Sequence, residues 1–225
     1  MKDVNREAMR GILRMFLLLP LLVFLPAWTL NYWQAWLCLG VFFACVIAIT
    51  MYLMKANPAL LERRLKAGAS AEKEKSQKVI QTLAAVAFVA LFILPGLDHR
   101  FAWSAVPALA GIAGDALIVA GFVFVFWVFK VNSFTSGVIE VAAEQKVIAT
   151  GPYAMVRHPM YLGSMVMLLG IPLGLASWWG ALAIVPMTIV IIWRLIEEER
   201  FLGENLVGYT QYKERVRYRL VPTVW

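Results

Sequence analysis

Six apolar runs separated by charged segments constrain the fold of this chain more than any other feature. The runs span residues 12–30, 35–54, 79–94, 106–129, 161–176 and 178–193. Since 61% of the 225 residues are hydrophobic and only 16% are charged, the composition is unlike that of a water-soluble domain. Long apolar stretches with few or no charges are typical of membrane helices. We therefore predict an all-α integral membrane protein.

The last two runs are short for helices that cross a bilayer. Residues 161–176 and 178–193 would each form a helix roughly 24 Å long, less than the ~30 Å of a hydrocarbon core. We predict four long transmembrane helices followed by a short C-terminal helical hairpin. The chain then divides into a transmembrane part, 1–130, and a core, 131–225, which also holds a polar connector and a C-terminal amphipathic helix.

Lysine and arginine are concentrated on one side of these runs. If the N-terminus lies inside and every run crosses, all 21 of them except Arg100 fall on the inner side, in segments 1–14, 55–78, 130–157 and 194–225. The positive-inside rule predicts that these segments face the cytosol, at the inner membrane if the cell is prokaryotic. The net charge of +7 then indicates contact with membrane lipids rather than nucleic acid.

Two smaller structures are predicted within the polar segments. Asn57-Pro58 is a typical helix start, so residues 59–66 could form a short amphipathic helix on the membrane surface. In the longest polar stretch, residues 138–141 and 147–149 could pair as two short strands.

Isolated polar residues near the apolar runs are predicted to be structural. Asp115, inside the fourth run, should make a structural hydrogen bond. His99 lies in the short outer loop 95–103 and should be exposed. Cys38 and Cys45 are seven residues apart on one helix, at a separation of about 10 Å, too far for a disulfide. No metal site is predicted.

Side chains that could carry chemistry are concentrated in two segments that bracket the hairpin. One runs from Thr150 to Gly163 and the other from Arg194 to Leu202. Because a helical hairpin returns the chain to where it started, 157–161 should lie near 194–199. Anchoring at the membrane interface could explain each residue alone. It does not explain why one hairpin brings arginines and carboxylates together.

The order and spacing of these residues resemble the isoprenylcysteine carboxyl methyltransferase family. The elements that match are Gly151-Pro152-Tyr153, Arg157-His158-Pro159-Met160-Tyr161-Leu162-Gly163, and Arg194 with Glu198-Glu199 and Leu202. The segment 209–216 with Pro222 is also similar to the C-terminus of that family. The resemblance covers about residues 130–225 and is shared with membrane methyltransferases acting on phospholipid amines or small thiols, and more loosely with sterol reductases.

The resemblance implies S-adenosylmethionine as the cofactor, bound without a Rossmann domain. The residues that it implies for cofactor binding are Thr150, Gly151, Tyr153, His158 and Tyr161, with Glu198 or Glu199 pairing with the amino group. It also implies that Arg194 and Arg157 face the acceptor or the cofactor carboxylate. Glu198 is included with these two as catalytic, because a nearby glutamate could deprotonate an amine acceptor.

The sequence therefore predicts methyl transfer to a lipophilic acceptor that enters from the membrane. A carboxylate acceptor is favoured, because Arg194 could hold it by two hydrogen bonds. A phospholipid amine and a thiol remain open. A sterol-type membrane reductase using NADPH is a second hypothesis. A small transporter is disfavoured, because no inverted repeat is visible, and no obligate protein partner is evident.

Overall fold

A computed structural model describes residues 2–142 and 144–225. Within these ranges the chain is helical and forms no β-strand. A 3-10 helix, Gly151–Ala154, precedes the C-terminal half. The α-helices are, in chain order, α1 (Lys2–Ala27), α2 (Trp33–Ala56), α3 (Pro58–Leu65), α4 (Lys75–Phe101), α5 (Ala108–Val131), α6 (Pro159–Gly174), α7 (Trp178–Ala181), α8 (Ile184–Asn205) and α9 (Tyr209–Arg215).

Five helical segments are long and apolar enough to cross a bilayer, so the protein is a multi-pass integral membrane protein. They are α1, α2, α4, α5 and the combined α7–α8 segment Trp178–Asn205. The sequence predicted four such helices and a short hairpin. The first arm of that hairpin, α6, is indeed short at 16 residues. The second arm is longer than predicted, because α8 continues past Trp193 to Asn205.

The long helices alternate in direction, which brings the start of α1, the end of α2, the start of α4 and the end of α5 to one end of the bundle. We call this the polar end. Helix α3 lies there, as predicted, and the Asn57 side chain caps it by accepting a hydrogen bond from the Leu60 N–H at 3.1 Å. Leu60 and Leu61 fix α3 by packing into a cluster with Ala8, Leu53 and Phe129.

Helices α5 and α6 pack with their backbones in close contact. A Cβ atom added at Gly121 would lie 2.6 Å from the carbonyl oxygen of Gly163. One added at Gly170 would lie 2.5 Å from the carbonyl oxygen of Gly114. Glycines in facing positions let two membrane helices approach this closely. The contact fixes the position of α6 and of the predicted functional segment at its start.

The outer loop predicted at residues 95–103 is wrong, because α4 continues through Pro95 to Phe101. His99 therefore lies on a helix, and its ring stacks on Tyr32 with 3.8 Å between the centroids. It is half-buried rather than exposed as predicted. On the same turn, the buried Asp98 accepts hydrogen bonds from the hydroxyls of Ser104 and Ser177, which ties the end of α4 to the start of α7.

The two strands predicted at 138–141 and 147–149 are not formed within the described residues. Residues 132–149, which we call the connector, consist of turns, bends and irregular backbone, apart from residue 143, which is outside the described residues. The Gln145 N–H donates to the Ala142 carbonyl at 3.1 Å. Val141 and Val147 both pack against the cluster formed by the end of α8 and by α9.

The buried acid of α5 makes a local contact with α2. Asp115 lies away from the polar end, beside Cys38 and Gly174, and its carboxyl group is hydrogen-bonded to the Cys38 side chain. This agrees with the structural hydrogen bond that the sequence predicted, although the Oδ1 atom has no further partner among the described residues. Cys38 and Cys45 are both free thiols, as predicted.

The α5–α6 contact can be tested with two glycine-to-alanine variants. Gly121→Ala should lower the stability of the protein by about 1–3 kcal/mol, because the new methyl group overlaps the α6 backbone. Gly40→Ala is the matched control, since nothing lies within 4 Å of its Cβ position, and it should be neutral or slightly stabilising. Thermal unfolding in detergent measures both; equal midpoints would contradict the close contact.

Candidate functional site

A cavity of about 370 Å³ lies at the polar end, within the usual size range of small-molecule sites. The connector forms one wall, and the other walls come from α3, α4, α6, α8 and α9. The polar side chains in the lining are Arg64, Gln81, Asn132, Thr135, Ser136, Glu140, Gln145, Lys146, Tyr153, Arg157, His158, Tyr161, Ser164, Arg194, Glu198, Tyr209 and Tyr212. The hairpin thus brings its two flanking segments together, as the sequence predicted.

Beside the cavity, the Glu199 carboxylate binds three basic side chains. Its Oε1 atom lies 2.6 Å from Arg157 Nε and 3.3 Å from His158 Nε2, and its Oε2 atom accepts from Arg219 Nε at 2.9 Å. The Glu199 and Arg157 side chains are only 9% and 8% exposed, so their ion pair is shielded from water, whereas Arg219 is 38% exposed. These contacts join α8, the start of α6 and the C-terminal segment in one clamp.

Arg157 lines the cavity, but four of its five side-chain N–H donors are already used within the protein. Its Nε and Nη2 atoms donate to Glu199, and its Nη1 atom donates to the carbonyls of Lys213 and Val216 at 3.5 and 3.3 Å. The sequence predicted that Arg157 would face the acceptor and that Glu199 could pair with the cofactor. In this arrangement both residues mainly join parts of the protein to each other.

Glu198, by contrast, lines the cavity. Its Oε2 atom accepts a hydrogen bond of 2.5 Å from the Tyr161 hydroxyl, and that hydroxyl accepts one of 3.1 Å from Arg194 Nε. Among the described residues, the other oxygen, Oε1, has no hydrogen-bond partner, and the carboxylate is in no ion pair. Of the two neighbouring glutamates, it is therefore Glu198 that has a carboxylate oxygen free to accept a hydrogen bond from a ligand.

Arg194 joins the cavity wall to three other parts of the chain. Its Nη1 atom lies 2.9 Å from Glu72 Oε1 and 3.0 Å from Gln77 Oε1, and its Nη2 atom donates to the Gly137 carbonyl at 3.1 Å. Because Glu72 is buried, this pair neutralises the Arg194 charge within the protein. A two-point grip of Arg194 on an acceptor carboxylate, as the sequence predicted, would have to displace Glu72.

Three tyrosines lie on the connector side of the cavity. Asn132 Nδ2 donates to the Tyr153 hydroxyl at 2.9 Å, and the Tyr212 hydroxyl donates to the Tyr153 carbonyl at 2.8 Å. Burial raises the pKa of Tyr153, Tyr209 and Tyr212 above the ordinary value of a phenol. All three therefore remain protonated, and none serves as a base near neutral pH.

Two buried hydroxyls in the cavity lining have no hydrogen-bond partner within the described residues. They are the Oη atom of Tyr209 and the Oγ1 atom of Thr135. A buried hydroxyl without a partner costs about 1–3 kcal/mol. A polar ligand in the cavity could provide the missing partners.

The remaining predicted cofactor residues are placed differently. His158 is buried in the lining, and its Nε2 atom donates to the Glu199 carboxylate, which can only accept. Tyr153 and Tyr161 also line the cavity. Thr150 and Gly151 lie outside the lining and are exposed.

Sequence reasoning missed Arg64, Thr135, Glu72 and Gln77. None of them belongs to a motif, and Glu72 and Gln77 reach Arg194 only because α4 packs against α8. The adjacent arginines of α3 were a partial signal, since an amphipathic helix turns them in different directions. The sequence pattern did not indicate whether Arg63 or Arg64 faces a cavity.

Comparison with known proteins connects this site to a family. Residues 109–206 match the model of the phospholipid methyltransferase family. This stretch holds α5 to α8 and includes both Glu198 and Arg194. It does not reach Arg64 or Tyr209. The match supports a membrane methyltransferase, and it falls in one of the groups related to the isoprenylcysteine family that the sequence resembles.

A curated relative has a different activity. The Delta(14)-sterol reductase of Mus musculus is 30% identical over 90 residues, which is 39% of this chain and 22% of the reductase. The chain therefore matches about a fifth of that protein. This similarity agrees with the looser likeness to sterol reductases seen in the sequence.

The Glu199 clamp predicts a large effect of a small substitution. Glu199→Gln should destabilise the protein by about 3–5 kcal/mol, because it removes the carboxylate charge that compensates buried arginines. Glu204→Gln is the control, since Glu204 makes an exposed pair with Arg200 on the same helix, and its loss should cost less than about 1 kcal/mol. Thermal unfolding in detergent compares the two, and a similar cost for both would contradict the clamp.

Proposed function

We propose that this protein transfers a methyl group from S-adenosylmethionine to a lipophilic acceptor at the polar end. The observation that carries the proposal is the free Oε1 atom of Glu198 in a cavity between membrane helices. The family match supports this choice, because it covers the helices that hold Glu198 and Tyr161. A cavity at the end of a helical bundle suits a soluble cofactor and a membrane-bound acceptor.

The residues of the cavity fit the cofactor. Glu198 Oε1 would accept from its amino group, and the unpartnered hydroxyls of Tyr209 and Thr135 would bond to its other polar groups. His158 would line the cofactor site, and the Tyr153 and Tyr212 rings would provide flat apolar surface. Bound S-adenosylmethionine supplies an activated methyl group on a sulfonium. Arg157 and Glu199 would act by holding the walls of the site in place.

The structure bears on the acceptor through Arg194. The carboxylate acceptor of an isoprenylcysteine-like substrate was favoured because Arg194 could grip it, but Arg194 is already paired with Glu72. A phospholipid amine needs no such grip and agrees with the matched family. An ammonium group must lose a proton before it can accept a methyl group, and a carboxylate that does not hold the cofactor could take that proton. We therefore favour an amine, with a carboxylate or a thiol as alternatives.

The proposal also places the site on the cytosolic side of the membrane. The polar end holds nearly all lysines and arginines of the chain, which the positive-inside rule assigns to the cytosol. The cofactor would then reach the cavity from the cytosol.

A sterol-type reductase is the second candidate, favoured by the similarity to the Delta(14)-sterol reductase. It would need NADPH in the same cavity. Parallel titrations of the purified protein with NADPH and with S-adenosylmethionine distinguish the two proposals, and binding of NADPH alone would replace the first with the second.

The cofactor assignment is tested by Glu198→Gln. Binding of radiolabelled S-adenosylmethionine to detergent-purified protein should weaken by about 10- to 100-fold, because a hydrogen bond to a charged group contributes about 1.5–3 kcal/mol. Glu197→Gln is the matched control, since Glu197 lies on the same helix but outside the lining. Glu197→Gln should bind S-adenosylmethionine as tightly as the wild type does. If the wild type does not bind the cofactor at all, the proposed function is wrong.

The unpartnered hydroxyl of Tyr209 predicts opposite changes in stability and binding. Tyr209→Phe should raise the unfolding temperature of the protein without ligand, because it removes a buried group that lacks a partner. The same variant should weaken S-adenosylmethionine binding by roughly 3- to 10-fold. Tyr212→Phe is the comparison, since its hydroxyl bonds to the Tyr153 carbonyl, and it should lose stability. Unchanged binding in Tyr209→Phe would remove Tyr209 from the site.

A further inference from the structure

Arg64 differs from the other arginines of the cavity lining in having no acid partner. Arg157 pairs with Glu199 and Arg194 pairs with Glu72. Within the described residues, Arg64 lies within 4 Å of no carboxylate and makes one hydrogen bond, from Nη1 to the Ser136 carbonyl at 2.5 Å. Its Nε and Nη2 atoms have no partner there and are not sealed from solvent.

The surroundings of Arg64 compensate its charge only in part. One side of the guanidinium lies over the Phe129 ring, 5.5 Å from the centroid. Burial and the nearby Arg194 charge lower the pKa of Arg64 from its ordinary value, while the Glu198 charge in the same cavity acts in the opposite direction. An arginine stays protonated nevertheless. Since no carboxylate of the described residues lies within 4 Å of Arg64, its guanidinium can bind an anionic group of a ligand directly.

A second feature points to a ligand at the same wall. Ser136, which binds Arg64 through its carbonyl, follows Thr135, whose buried hydroxyl also lacks a partner. An anionic oxygen could accept hydrogen bonds from both a guanidinium and a hydroxyl.

The same cavity also contains the opposite charge. Glu198 has a free oxygen and is in no ion pair among the described residues. Arg64 and Glu198 are not within 4 Å of each other, so each charge remains available. A pair of separated, unmatched charges in one cavity is complementary to a zwitterion, with its ammonium toward Glu198 and its anionic group toward Arg64.

We propose that Arg64 binds the anionic group of a zwitterionic ligand in this cavity. The identity of that ligand rests on the proposed function, which offers two sources of the same chemistry. One is the amino acid part of the cofactor, which carries an ammonium and a carboxylate. The other is an aminophospholipid headgroup, which carries an ammonium and a phosphate. Arg64 is a binding residue in either case.

The neighbouring Arg63 provides a matched control. It lies on the same helix and also anchors the connector through one carbonyl, that of Ser133, at 2.5 Å. It is outside the cavity lining. Arg63→Gln and Arg64→Gln therefore remove similar contacts between α3 and the connector, but only Arg64→Gln removes a charge from the cavity.

The test uses two pairs of probes, titrated by calorimetry into the full chain in a neutral maltoside detergent. The first pair is S-adenosylhomocysteine and its decarboxylated analogue. The second pair is lysophosphatidylethanolamine and dodecylamine. In each pair the second compound keeps the amine and lacks the anionic group. Loss of a charge-assisted bond should weaken binding by about 10- to 100-fold.

The expected result is that Arg64→Gln weakens one zwitterion by this factor, while its amine-only analogue changes less than twofold and Arg63→Gln changes neither. The pair that responds identifies the source of the anion. The proposal is overturned if Arg64→Gln binds both zwitterions as tightly as the wild type does. It is also overturned if Arg63→Gln and Arg64→Gln lose the same affinity for the zwitterion, or if the wild type binds neither zwitterion.

A second variant covers the case in which Arg64→Gln does not fold. Arg64→Lys keeps the positive charge but loses the planar guanidinium with its paired N–H donors. It should therefore weaken binding of the same zwitterion by a smaller factor of roughly 3 to 10. Equal binding to Arg64→Lys and the wild type would then overturn the proposal. If the wild type fails to bind S-adenosylhomocysteine but binds lysophosphatidylethanolamine through Arg64, the proposed cofactor is wrong while the role of Arg64 stands.

Discussion

The Glu199 carboxylate holds the polar end of the molecule together. Three basic side chains bind it, from the start of α6 and from the C-terminal segment. Each of these groups is expensive to bury alone, and the cost is offset only when all of them meet. The backbone reinforces the arrangement, since the N–H groups of Arg157 and His158 donate to the carbonyls of Tyr218 and Arg219. The cavity walls depend on this clamp for their relative position.

The neighbouring Glu198 shows how one helix can provide both a structural and a ligand-facing acid. Successive residues of an α-helix point about 100° apart. Glu199 therefore points toward the C-terminal segment while Glu198 points toward the cavity. The same division separates Arg63 from Arg64 on α3. In each pair, one residue lies outside the cavity lining and its neighbour is part of it.

The cavity lies between the membrane helices and the connector, so its lining is both apolar and polar. The close α5–α6 contact fixes Tyr161 and His158 at the start of α6, and the connector closes the opposite side with few backbone bonds of its own. Arg194 links both sides through Tyr161 and the Gly137 carbonyl. A site built in this way can hold a polar cofactor beside a lipid, which is the requirement of the proposed reaction.

The sequence alone determined the membrane class, the short helix α3 and the meeting of 157–161 with 194–199. These follow from hydropathy, capping and the return of a hairpin, which are local or nearly local properties. It was wrong about the strands of the connector and about His99, because both depend on which distant element packs beside them.

Only the tertiary structure decided which of the charged residues are free. The motif named Arg157, Arg194, Glu198 and Glu199 together, but it did not show that Arg157 and Glu199 pair with each other. It also carried no information about Glu72, which pairs with Arg194, or Arg219, which pairs with Glu199. Arg64 lay outside the motif and became a candidate only through its place in the lining. A sequence records which charges are present, whereas their pairing depends on distances of a few ångström that only folding sets.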